Sequence, residues 1–214
     1  MKNILLAFAV STVSICSHAG DLYGGVGFPG LTLGYGHPVS DSLVVRAEFS
    51  GGLSADKSGT RDGIDYVGSL KAQSIGGFVD WFPSSTNFRL TAGLTSNDTK
   101  LSLKSIANGS GNATLNGKTV SFADETFNID VKYPSVTPYV GLGYGFKPNS
   151  GKGWGFYTDI GVLIGKFEAT TTTSIVGKQG ITQADVDAQT QKLRNDLNKL
   201  SVLPKLSIGA RYSF

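Results

Sequence analysis

Cysteine is almost missing from this chain: Cys16 sits in the N-terminal segment and none follows. That excludes a disulfide framework, a thiol nucleophile and a cysteine-bound metal from everything downstream. Histidine is nearly as scarce, with His18 and His37 alone, so imidazole chemistry near neutral pH has one candidate after residue 19. No uninterrupted apolar run of 18 residues occurs after Ala19, which excludes a membrane-spanning helix, a structure that needs roughly 20 apolar residues. Charge of one sign is lacking too. The 19 Lys and Arg against 16 Asp and Glu give +3, and so balanced a chain offers no strongly basic face to a nucleic acid.

What is present begins with a secretory signal. Lys2 and Asn3 precede the apolar run Ile4 to Val10, and a small-residue stretch ends in Ser17-His18-Ala19. This predicts a signal peptide over residues 1–19, cleaved after Ala19. Ile15 before Cys16 is too large for a lipid-modified cysteine, so Cys16 leaves with the peptide. Residues 20–214 then form one domain, with 18 basic and 16 acidic residues, a charge of +2.

Glycine is abundant, 29 of 214 residues, nearly twice the usual share of about 7%. It falls among short segments in which apolar and polar residues alternate, the mark of strands with two different faces. Leu43, Val45, Ala47 and Phe49 alternate with Arg46 and Glu48, and Phe88, Leu90, Ala92 and Leu94 with Arg89 and Thr91. Trp154, Phe156, Ile160, Val162 and Ile164 oppose Tyr157 and Asp159, and Val140, Leu142, Tyr144 and Phe146 alternate with glycines. Short turn-forming links at His37 to Asp41, Pro83 to Asn87 and Lys147 to Gly153 separate longer polar stretches at Gly52 to Asp65, Ser96 to Tyr133 and Lys166 to Leu203. Short turns on one side and long loops on the other are the asymmetry of an outer-membrane barrel. Trp81 and Trp154 flank the short turns with Phe82, Phe88, Phe146 and Phe156 nearby, which reads as an aromatic girdle at one interface.

At the C-terminus, Leu206, Ile208, Ala210, Tyr212 and Phe214 alternate strictly with Ser207, Gly209, Arg211 and Ser213. This segment resembles the terminal signal by which bacterial outer-membrane barrels are recognised for assembly. With Gly30 to Glu48, Phe78 to Pro83 and Pro138 to Phe146, it makes most of the chain after residue 19 resemble the opacity-type and W-type outer-membrane proteins of Gram-negative bacteria. The resemblance implies an all-β fold, an antiparallel transmembrane barrel mostly of eight strands, and carries no single function. Physics agrees, because strands in lipid satisfy their backbones only by closing into a barrel. The apolar face then meets lipid, while Arg46, Glu48, Arg89, Asp159 and Arg211 share the interior with Tyr139 and Tyr157 and fill it.

Seven strand candidates are visible: Leu22 to Gly36, Ser42 to Gly51, Tyr66 to Phe82, Asn87 to Leu103, Val136 to Phe146, Trp154 to Thr170 and Pro204 to Phe214. Bacterial barrels have even numbers. Either the first segment bends at Pro29-Gly30 into two strands, or the hairpin signal Asn116-Gly117 adds a pair; eight is the expected count. Thr182 to Lys199 reads as a helix in the last long loop, with Thr182 as N-cap, Asp185 and Asp187 in the first turn and Lys199 in the last. Its apolar stripe is Val186, Leu193, Leu197 and Leu200. Three placements are open to it: capping the barrel mouth, entering the lumen, or lying on lipid headgroups.

Catalytic motifs are scarce. Gly25-Val26-Gly27-Phe28-Pro29-Gly30 matches the dinucleotide fingerprint in letters, but Pro29 interrupts it and no strand–helix unit surrounds it. His37 lies in a short turn on the periplasmic side. Asp124-Glu125 and Asp185/Asp187 lack the ligand density of a calcium loop. The expected function is therefore non-enzymatic and without a cofactor: an outer-membrane barrel with a structural or adhesin-like role. Its expected partners are outer-membrane lipids and lipopolysaccharide, the assembly machinery, and host or surface ligands met through the long loops. The alternatives are a narrow channel for small or hydrophobic solutes and, disfavoured by the histidine count, a lipid A-modifying enzyme.

Overall fold

The computed structural model describes residues 20–61, 64–83, 86–106, 112–121, 125–148, 151–199 and 201–214. The signal peptide expected at residues 1–19 lies outside them. The chain runs through β1 (Asp21–Phe28), β2 (Gly30–Ser40), β3 (Leu43–Arg61), β4 (Ile64–Trp81), β5 (Phe88–Asn97) and β6 (Lys100–Ile106). It continues through β7 (Asn112–Leu115), β8 (Lys118–Ser121), β9 (Phe127–Lys132), β10 (Val136–Tyr144), β11 (Gly153–Ile164), β12 (Glu168–Thr173), α1 (Gln183–Leu197) and β13 (Val202–Ser213).

Strand pairing is antiparallel throughout the described residues. From β1 the ladder passes to β2, β3, β4 and β5. It then crosses to β10, β11 and β13, and β13 pairs back with β1, Asp21 opposite Ser213. This circuit has no edge, which is how a barrel satisfies every strand. Beyond the top of β5, β4 pairs instead with β6, then β9, then β12. The Pro29-Gly30 bend separates β1 from β2, whereas Asn116-Gly117 joins β7 to β8 in a separate two-stranded sheet. The main sheet thus has eleven strands where eight were expected. The excess arises where one pass of chain is broken in two, as between β5 and β6, β9 and β10, and β11 and β12.

These breaks mark a reversal of polarity. Below them Val79, Trp81, Leu94, Val140, Leu142, Phe156, Ile160, Leu206 and Ile208 are exposed, while Ser74, Asp80, Arg89, Thr91, Thr137, Asp159 and Ser207 are buried. Above them the inward side is apolar. Leu70 shares a face with buried Phe78 along uninterrupted β4, and register links Leu70 to Leu101, Leu101 to Val131 and Val131 to Ala169. The outward neighbours there are Lys71, Lys100, Asp130, Lys132 and Glu168, all exposed. β3 makes the same change through a bulge between Ser50 and Leu53, which swaps the residues that point inward.

The stretches Gly52 to Asp65, Ser96 to Tyr133 and Lys166 to Leu203, expected as surface loops, are thus largely a head of continuing strands plus β7, β8 and α1. Their polar appearance comes from the outward face. The tryptophans Trp81 and Trp154 are exposed at the end with the short turns, where Trp154 packs edge-on to Tyr212 at 5.3 Å and Tyr144 stacks on Phe156 at 5.3 Å. Phe82 and Phe146 depart from the expected girdle: both are buried, clustered with Tyr23, Val44 and Tyr157. The cause at Phe146 is local. Gly145 (φ 96°) and Phe146 (φ 63°) take left-handed conformations and turn the chain inward, ending the alternation of β10.

Facing makes a sharp expectation for neighbouring residues. Leu90 points outward and Thr91 inward, with Thr91 bonded to Asp80. Leu90→Arg is expected to lower the stability of the lipid-embedded barrel by about 2–4 kcal/mol at mid-bilayer depth, whereas Thr91→Arg acts by crowding the interior. Denaturant titration in lipid vesicles reads both; an unchanged midpoint for Leu90→Arg would contradict this facing.

Candidate functional site

The interior of the closed circuit holds eight buried charged side chains, Asp21, Arg46, Glu48, Asp80, Arg89, Asp159, Lys205 and Arg211. Four are cations and four are anions. Such a set is tolerable away from water only when each charge is paired and hydrogen-bonded. Arg46 is the hub. Its guanidinium donates from Nε to Asp80 Oδ2 at 2.5 Å and from Nη2 to Asp80 Oδ1 at 3.1 Å, a bidentate pair. It also reaches Asp159 at 3.3 Å, Glu48 at 3.4 Å and the Tyr23 hydroxyl at 3.2 Å. Arg89 donates to Asp159 at 2.7 Å and to the Gly145 carbonyl at 2.9 Å. Thr91 donates to Asp80 at 2.6 Å, and Lys205 pairs with Glu48 and donates to Ser50 at 3.2 Å.

Phe146 is the apolar half of this arrangement. Fully buried, its ring lies 4.7 Å from the Arg89 guanidinium carbon, 5.1 Å from that of Arg46 and 6.0 Å from that of Arg211. Cation–π attraction of this kind strengthens when water is excluded. Arg211 stands apart from the Arg46 hub and bonds Asp21 at 2.8 Å and Ser213 near the last register pair. Tyr157 packs on Tyr23 at 5.1 Å and on Phe146 at 5.2 Å. Tyr139 packs edge-on to Phe78 at 5.1 Å.

The glycine excess has a use here. The Tyr139 ring lies across Gly141 and Gly161, where an added Cβ would sit 2.4 Å and 2.3 Å from its hydroxyl. Arg89 crosses Gly143, where a Cβ would meet Cζ at 2.6 Å. Large inward side chains therefore lie flat over bare backbone of their own strand and of the next, which fills the interior of the circuit.

Of the residues singled out from sequence, Arg46, Glu48, Arg89 and Asp159 come together, and Arg211 is nearby with its own partner. Asp80, Lys205, Asp21, Tyr23 and Phe146 were missed. Alternation held the signal for Asp80, between outward Val79 and Trp81, and for Lys205, beside outward Leu206. Leu206, Ile208, Ala210 and Tyr212 face outward on β13, and Phe214, just past its end, is exposed as well. Gly25-Val26-Gly27 lies within β1, so the dinucleotide-like letters are part of a strand. His37 stacks near Tyr35, with ring centroids 6.5 Å apart, at the short-turn end.

In the head, α1 spans Gln183–Leu197, shorter than expected, with Asn198 as C-cap; Asp185 alone is acidic in the first turn and Arg194 basic in the last. Thr182 and Asp185 form a capping box. The helix lies against β12, where Thr190 bonds Thr171 at 2.8 Å and Arg194 bonds the Ala169 carbonyl at 2.8 Å. Val186 joins Leu115, Val120, Ile175 and Ile181 in a small core beneath the hairpin. Leu200 and Asp124 lie outside the described residues. Glu125 and Asp185 are occupied by side chains of the chain itself. Lys178 and then Ser174 hold the Glu125 carboxyl below its usual range. Lys118, then Asn116 and Thr182, hold that of Asp185 well below the usual carboxylate range.

Because the Asp185 value is depressed on folding, its contribution is present above the ordinary carboxylate pKa of about 4 and lost only as pH falls well below it. Hairpin docking is therefore expected to be constant from pH 7 to about 4. Asp185→Asn is expected to speed proteolysis between β7 and β8 at neutral pH; unchanged cleavage would mean that the ion pair does not hold the hairpin.

No protein-family model matches the chain, and no curated protein does. Solved structures do match. Acinetobacter baumannii CarO2 superposes with a TM-score of 0.64 at 18% identity, over 92% of this chain and 99% of that one. Acinetobacter baumannii CarO gives a TM-score of 0.57 at 20% identity, over 91% and 97%. The chain therefore shares its fold with CarO and CarO2 along nearly their whole length.

Proposed function

We propose that this protein is a Gram-negative outer-membrane barrel of eight transmembrane strand passes with a sealed lumen and an outer head, and that its role is structural and surface-interacting, without catalysis. The observation that carries this is the band of exposed apolar side chains around a buried, charge-balanced interior. Water would expose the wrong face of such a sheet; lipid matches it. β10, with nine residues, and β11 and β13, with twelve each, reach the length of about 9–11 that a tilted transmembrane strand needs. The fold shared with CarO and CarO2 supports the same reading.

On this proposal the outward residues of β13 engage the assembly machinery, the band meets outer-membrane lipid and lipopolysaccharide, and the head meets surface ligands. The filled interior weighs against a channel. Planar-bilayer recording of the purified full chain is the test: no stepwise conductance is expected, and reproducible steps would replace the sealed-barrel reading with a narrow channel.

A further inference from the structure

β3 and β4, which belong to the barrel circuit below, turn an apolar face inward in the head, and β6 and β9 continue that face. That face is only partly covered. Between it and α1 lies a half-open cavity of about 780 Å³, within the range of roughly 300–1,000 Å³ typical of small-molecule sites. Leu70, Leu101, Leu103 and Ile129 of four-stranded wall β3–β4–β6–β9 form its floor, and Leu193 of α1 its roof. Polar residues in its lining are few: Lys57 and Ser58 on β3, Tyr66 on β4 and Gln189 on α1, with Ser58 directed to the other face of the strand. No acidic side chain lines it among the described residues.

Lys57 is the deciding feature. It lies on the stretch of β3 above the bulge, where β2 has ended and one backbone edge has no strand partner among the described residues. The lysine is exposed, and no hydrogen bond or ion pair ties it to another described residue. A lone ammonium at the mouth of an apolar cleft suits a molecule with an anionic head and an aliphatic tail, the ammonium serving the head and the leucines the tail. The cleft does not lead through the barrel. Below it lie Phe78, Tyr133, Tyr139 and Leu163, clustered and buried, and then the Arg46 network.

We infer that the cavity under α1 binds a single-chain anionic amphiphile of the fatty-acid class, holding it at the outer face without conducting it inward. The inference goes beyond the barrel reading and does not depend on what the head meets in other molecules. Dodecanoate is the probe, added to the full chain in phosphatidylcholine nanodiscs, with empty nanodiscs as reference. Saturable binding above the reference is expected, with affinity falling about tenfold for each two methylenes removed. Lys57→Glu is expected to weaken dodecanoate at least tenfold and to leave neutral dodecanol unchanged.

Leu103→Trp, which fills the floor, is expected to abolish binding; Leu193→Asp, on the helix and outside the sheet, does so if the first variant fails to assemble. Binding no greater than to empty nanodiscs overturns the inference, as does full dodecanoate affinity in an assembled Leu103→Trp or Leu193→Asp barrel. Equal loss of dodecanoate and dodecanol in Lys57→Glu also overturns it, because the head-group contact would be absent. A barrel that remains heat-modifiable and non-conducting while binding nothing refutes the cavity site alone.

Discussion

Replacing Arg46 with leucine is expected to destabilise the lipid-embedded barrel by about 3–5 kcal/mol, the cost of leaving buried carboxylates without their partner. Asp80 suffers most, because it loses the bidentate contact at 2.5 Å and 3.1 Å and keeps Thr91 at 2.6 Å and Arg89 Nε at 3.3 Å. Asp159 retains Arg89 at 2.7 Å, and Glu48 retains Lys205. The interior would pass from charge balance to one excess anion. Adding Asp80→Asn restores the balance and is expected to recover a large part of the loss. Denaturant titration of the single and double variants in vesicles gives the coupling. A loss below about 1 kcal/mol for Arg46→Leu, in the range of an exposed pair, would mean that water reaches the network and the lumen is open.

The second large effect is on assembly. Phe214→Asp is expected to leave the protein in the periplasm, absent from the heat-modifiable outer-membrane fraction. Phe214 is exposed, packs edge-on to Tyr212 at 5.7 Å, and its amide donates to the Gly20 carbonyl at 3.1 Å, near the closing pair of β1 and β13. The side chain itself supports nothing inside the barrel, so stability and recognition separate. Unassisted refolding of the same variant into thin-bilayer vesicles is expected to proceed. Normal outer-membrane yield in cells would remove the assembly role from β13; failure in vesicles as well would assign the effect to stability.

The barrel wall was legible because its strands alternate with period two between an exposed and a buried face, a pattern that β5, β10, β11 and β13 carry over most of their length. The head was not legible. Strand candidates reached Leu103 and Thr170, yet the same residues fell within the long polar stretches, because β6 carries lysine and serine outward and β12 is mostly threonine. Only register shows that Leu101 and Ala169 share a surface with Leu70. The interior was half legible for a different reason. Arg46, Glu48, Arg89 and Asp159 lie within clean alternation, whereas Phe146 enters the lumen only because two left-handed residues break the strand, a tertiary demand that no periodicity records. Its burial among three arginines and the flat packing of Tyr139 over Gly141 and Gly161 are contacts between strands, which the alternation within one strand does not record.

On the proposed function the apolar band lies in lipid and ends where polarity reverses, and β4 runs through both regions without a break. A nitroxide label is placed in turn at Trp81, Val79 and Ile75, then at Gln73, Lys71 and Ser69, all on the outward side of β4. Power-saturation measurements in vesicles compare collision with oxygen and with a water-soluble nickel chelate. The expected profile is high oxygen and low nickel accessibility at 79 and 75, changing to high nickel accessibility at 71 and 69. High nickel accessibility at 79 and 75 would place the band in water and contradict the transmembrane barrel.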